Sequence, residues 1–88
     1  IFSGDEPSTY KIWLSKNGAR WIQEDPWHAH QKLEFQDDGT CILQVPAYQP
    51  MEIIPHVLRF GDDAQLLEPA AARKEMKRIV DAMSKMYK

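Results

Sequence analysis

Met51 to Pro69, reading MEIIPHVLRFGDDAQLLEP, constrains this chain more than any other stretch, because it holds a helix, its stop signal, a strand and the start of another helix. Ile53, Ile54, Val57 and Leu58 recur at helical spacing, so one stripe faces a core, and Gly61 stands where a helix ends on a residue without a Cβ. The helix therefore stops at Phe60. Asp62 and Asp63 form a polar turn, Ala64 to Leu67 reads as a short apolar strand, and Pro69 fits the first position of a helix, where a missing N–H costs nothing.

The rest of the chain packs around that unit. Residues 1–9, IFSGDEPST, mix turn formers with two acids and lack periodicity, so they read as a linker arriving from an upstream domain. From Tyr10 the pattern alternates: Tyr10, Ile12 and Leu14 on one face of a strand, Lys11 and Trp13 on the other. Ser15 can cap a helix with Ala19 and Ile22 on one side, ending before Pro26, although Gly18 weakens it by up to about 1 kcal/mol relative to alanine. After the loop EDPWHA, HQKLEFQ and TCILQVPAY alternate as two strands joined by the hairpin turn Asp37-Asp38-Gly39. A helix follows from about Glu52, with Pro55 tolerable only in its first turn. Finally Ala72, Met76, Ile79, Val80 and Met83 recur as the apolar face of a long helix whose other face is basic.

The predicted order is β-α-β-β-α-β-α, an α+β ferredoxin-like pattern: a four-stranded antiparallel sheet with two helices on one face, plus one terminal helix. Its expected core is Ile12, Leu14, Ala19, Ile22, Leu33, Phe35, Leu43, Val45, Ile54, Val57, Leu58, Leu66, Met76 and Ile79. The opposite sheet face then carries Lys11, Trp13, Lys32, Glu34, Ile42 and Gln44, and must be wet or covered by a partner.

With 88 residues, 43% of them hydrophobic and 27% charged, the chain is one ordinary globular domain with a modest core. No apolar run approaches the roughly 18 residues a membrane span requires, so no membrane partner is expected. Cys41 is the single cysteine and cannot form an internal disulfide, which makes the cytoplasm the default compartment. A first residue of Ile1 rather than Met reads as an excised fragment. The net charge of −2 is unevenly spread: residues 70–88 set six cations against Glu75 and Asp81, a local +4, which leaves −6 for the remainder. That describes a charge-patterned surface rather than a bulk nucleic-acid binder.

Chemistry-bearing residues are few. His28 and His30 fall two apart in a loop, but zinc wants three or four ligands and neither Cys41 nor His56 is placed by sequence to complete a set, so no metal or other cofactor is expected. Cys41 has inward strand parity, the setting of an inert packed thiol. Asp37-Asp38 and Asp62-Asp63 sit in turns, where aspartate caps its own backbone. With no nucleophile, base and orienting group at workable positions, the chain is not expected to be an enzyme. Trp13, outward beside Lys11 and Lys32, is where some sheets stack a nucleobase, although Ile42 and Gln44 offer no second aromatic.

Taken in order, several marks resemble one family. They are Ala19, Ile22 and Glu24 in the first helix, Trp27-His28-Ala29-His30-Gln31, the turn Asp38-Gly39, and Glu52-Ile53 leading through Val57-Leu58 to Phe60-Gly61, then Leu67-Glu68-Pro69, Arg73 and Tyr87. Nearly the whole chain resembles the C-terminal extension (WCX) domain of bacterial WYL-domain transcriptional regulators, mapped here as residues 10–88 after the linker. The resemblance implies a regulatory domain that contacts an upstream WYL domain and the second subunit of a homodimer and helps form an effector-sensing site, with duplex DNA met only by an upstream helix-turn-helix. The expected effector- or partner-binding residues are Arg20, Trp27, His28, Gln31 and Lys32 around the loop, with Lys11 and Trp13 on the strands. The alternative is a module that itself binds a nucleotide or single-stranded nucleic acid on its exposed sheet face. Asp25 stands where the family often has arginine, which disfavours an anion contact at that loop, and His56 where it often has tryptophan.

Overall fold

A computed structural model describes residues 6–87. The elements follow the expected order: β1 (Ser8–Leu14), α1 (Lys16–Glu24), β2 (Lys32–Phe35), β3 (Cys41–Ala47), α2 (Ile54–Phe60), β4 (Ala64–Glu68) and α3 (Ala70–Met86). The fold is α+β, with one four-stranded antiparallel sheet in the order β2-β3-β1-β4 and a C-terminal helix. β1 and β3 are the long central pair, in register from Ser8 opposite Ala47 to Leu14 opposite Cys41.

Alternation along the strands makes the core. Tyr10, Ile12 and Leu14, Cys41, Leu43, Val45 and Ala47, and Ala64 and Leu66 turn to one face, where Ala19 and Ile22 of α1, Ile54 and Val57 of α2 and Ala72 of α3 close over them. The helices thus cover one side of the sheet. Burying a side chain such as Ile22 contributes about 1.5–3 kcal/mol.

Local chemistry sets the boundaries. Ser15 caps α1, its hydroxyl accepting the Gly18 N–H at 3.1 Å while donating to Asp63 Oδ1 at 2.6 Å, and its own N–H donates to the Asp63 carbonyl at 2.9 Å. This ties the start of α1 to the entrance of β4. Gly18 is buried, and an added Cβ there would lie 2.7 Å from the Asp63 carbonyl oxygen. Gly61 ends α2 at φ 63°, ψ −130°, a combination essentially reserved for glycine. In the hairpin, Asp38 Oδ1 accepts both the N–H and the hydroxyl of Thr40, at 3.0 and 2.6 Å, and Gly39 takes φ 90°.

Several expectations need correction. β1 starts at Ser8, so residues 8 and 9, read as linker, are strand, while 1–5 lie outside the described residues. The chain from Pro50 to Glu52 forms a 3₁₀ turn before α2 begins at Ile54, which puts Pro55 in the first turn, where it is harmless. Pro69 caps α3 from an extended conformation just ahead of its first residue. Phe35, expected in the core, is 52% exposed. Its parity is inward, opposite Cys41, but β2 is a four-residue edge strand and Phe35 is its last residue. Leu33, Leu58, Met76 and Ile79 only border the core, whereas Tyr10, Cys41, Ala47, Ile53, Ala64 and Ala72 belong to it.

Candidate functional site

The residues expected to form one site do not come together: most fall on two separate surfaces, and Arg20 lies on neither. Trp27 joins the helical layer. Its indole stacks on His56 of α2, centroids 5.0 Å apart and planes 23° apart, and meets Phe60 edge-on at 5.2 Å; Phe60 also takes the edge of Trp21 at 5.3 Å. Gln31 braces the loop from within, its Oε1 accepting the N–H of Trp27 at 2.9 Å and of His28 at 3.4 Å. His28 Nδ1 accepts the His30 N–H at 2.9 Å, and the two imidazoles lie 5.5 Å apart. With one ring face against His56 and an edge contact to Phe60, Trp27 serves as the loop's anchor. Its Nε1 is buried without a hydrogen-bond partner, an orphan donor.

The surroundings of His56 favour its neutral ring. Arg59 Nη2 donates to its Nδ1 at 3.2 Å, so that nitrogen carries no proton. Burial, and then the Arg59 charge, push the imidazole below its ordinary 6.5, against an opposing pull from Asp25. The Cys41 thiol, fully buried, is pushed up by the same loss of solvent, which disfavours the reactive thiolate.

Lys11, Trp13 and Lys32 sit on the opposite, outward face of the sheet. Register places Lys32 of β2 opposite Gln44 of β3, and Gln44 opposite Lys11 of β1, so two lysines flank one amide across three strands. One rung toward the hairpin, Trp13 lies between Ile42 and Gln65. One rung the other way, Thr9 opposes Pro46. There a hollow of about 190 Å³ is lined by Thr9, His30, Lys32, Gln44, Val45 and Pro46. Arg20 belongs to neither surface: it is exposed on α1 and donates to Asn17 Oδ1 at 3.2 Å.

The third surface was not singled out from sequence. A groove of about 400 Å³ runs between the end of α2 and the distal half of α3, lined by Leu58, Gly61, Asp62, Met76, Val80, Met83, Ser84 and Tyr87. Val80, Met83, Met86 and Tyr87 are 44, 41, 76 and 82% exposed. The helix outruns its support, since 17 residues span about 25 Å and the five of β4 about 17 Å. The sequence signal was the apolar stripe continuing past Ile79, which alone does not tell a long core from an overhang. On the other face Arg78 pairs with Glu75 and Lys77 with Asp81, whereas Arg73, Lys74 and Lys85 make no ion pair among the described residues.

Among the described residues no three His, Cys, Asp or Glu side chains gather where a metal ion could be held, and no helix is long and apolar enough to cross a membrane. The geometry defines a small α+β module with a polar sheet face and an apolar overhang. The chain belongs to the WCX domain family, whose model matches residues 6–84. No curated protein matches it. Family membership suggests a C-terminal domain of a WYL-type regulator.

Proposed function

We propose that this domain is the regulatory C-terminus of a bacterial, cytoplasmic WYL-type transcriptional regulator, joining subunits and domains and helping to form an effector-sensing site without catalysing a reaction. We read the order β2-β3-β1-β4, with a helix in each crossover, as a ferredoxin-like arrangement. The observation that carries the contact role is the overhang of α3. Val80, Met83, Met86 and the C-cap Tyr87 form one apolar stripe on a helix whose other face is charged, and such surface is retained where something covers it. The two expected coverings are the upstream WYL domain and a second subunit. Duplex DNA is left to an upstream helix-turn-helix, in keeping with the net charge of −2.

Sedimentation equilibrium of the full-length regulator and of this chain tests the reading. The full-length protein is expected to be a dimer, shifted toward monomer by Met83→Glu; a parent that is monomeric at all concentrations refutes it.

A further inference from the structure

We propose that β4 is an open pairing edge that takes an extended, acidic segment of a partner protein as a fifth strand, seated in the groove between β4 and α3. The inference goes beyond the contacts proposed above, which centre on the far end of α3, and does not depend on them.

Three observations carry it. First, β4 ends the sheet order β2-β3-β1-β4 and pairs with β1 alone. Apart from that ladder, no hydrogen bond among the described residues reaches the backbone of Ala64, Gln65, Leu66 or Leu67, so one edge of the strand keeps its donors and acceptors free. The opposite rim of the sheet, β2, carries Lys32 and Glu34, whereas β4 has no charge before Glu68 and lacks that guard against pairing. Second, a groove of about 310 Å³ runs beside β4. Ala64 and Leu66 turn inward and Gln65, opposite Trp13, turns outward, yet all three line the groove, so it reaches the strand's edge and not one face only. Third, the far wall is a single flank of α3, formed by Arg73, Met76, Lys77 and Val80 at helical spacing.

The walls select the occupant. Residues 73 to 80 span about 10 Å of helix, room for two side chains of a strand, which point the same way about every 7 Å. Met76 and Val80 offer one of them an apolar seat, Arg73 and Lys77 offer the other two cations, and no acidic residue lines the groove. Arg73 makes no ion pair among the described residues, and the pair of Lys77 with Asp81 is exposed on both sides, so an incoming carboxylate exchanges with it at little cost. Glu68 does not compete, because it stands opposite Lys11 on the outward face. A second copy of this chain fits poorly: β4 paired with its own counterpart would bring Arg73 and Lys77 of both molecules to one seam, like charges together. A segment alternating apolar and acidic residues complements both walls and the backbone edge at once.

Amide chemical shifts of the chain decide the matter, titrated with an end-blocked hexapeptide that sets valine, glutamate and valine at alternate positions with threonine between them. The amides from Ala64 to Leu67 are expected to move. Lysine in place of the glutamate is expected to weaken binding at least tenfold, as is Arg73→Gln, the worth of one charge-assisted hydrogen bond. A proline at the centre of the peptide is expected to abolish binding by removing a ladder donor. Arg73 is exposed, so an unchanged spectrum of the unliganded variant certifies the fold. Absence of shifts in β4, shifts confined to β2 or to Leu58, Met83 and Tyr87, or equal affinity for the glutamate and lysine peptides overturns the proposal. So do β4 shifts that grow with the concentration of the chain alone, the mark of a second copy at that edge. Assembly through the α3 overhang is read separately by sedimentation, so a failed titration leaves the regulator reading standing.

Discussion

Gly18 lowers helix propensity, and from sequence it looks like a flaw in α1, yet an alanine Cβ there would stand 2.7 Å from a backbone oxygen that cannot swing aside, the Asp63 carbonyl. That same carbonyl accepts the Ser15 N–H, so pushing it away also loosens the cap of α1. Gly18→Ala is therefore expected to destabilise the chain by about 1–2 kcal/mol, the strain of overpacking exceeding the gain in helix propensity. Urea denaturation checks the sign: a midpoint raised by alanine means the two segments are not held this closely. The sequence shows Ser15 as a cap and Asp63 as a turn residue. It is silent on their meeting, because two residues 48 positions apart are brought together only by the sheet.

Elements were legible where one periodicity ran unbroken. The alternation in β1 and β3 fixed both faces of the central sheet, so the outward row of Lys11, Gln44 and Lys32 could be anticipated as a face, though not as a register. Alternation failed at β2, because parity says which way a side chain points and not whether anything covers it. Phe35 points inward at the end of a short edge strand and stays 52% exposed, while Ile22 is fully buried on the inner face of α1. Phe35→Ala is expected to cost under about 1 kcal/mol, against about 3–4 for Ile22→Ala, both read from denaturation midpoints. Comparable losses at the two sites would mean that β2 is covered. Helical period likewise marked α3 as amphipathic but could not show that its stripe outlasts the core.

At the scale of the molecule, His56 links the Trp27 loop to α2, a contact across 29 positions that no local pattern announces. Its folded state disfavours the proton, chiefly through burial and then Arg59, so the unfolded chain binds a proton more readily. Stability is then full above the ordinary 6.5 and falls as the pH drops from there toward the depressed value. Thermal melts between about pH 7.5 and pH 5.5 are expected to show a smaller acid loss for His56→Gln than for the parent; an equal loss places the titration elsewhere. The four-residue β2 has a further consequence, for the behaviour of many copies in a crowded solution. It is the rim of the sheet, where unpaired backbone groups invite a neighbouring molecule's strand to add on, and the exposed Phe35 would help such stacking begin. Its brevity leaves few rungs to extend, and the charges of Lys32 and Glu34 would repel their counterparts in a parallel in-register stack, so these two side chains act as gatekeepers against fibrils.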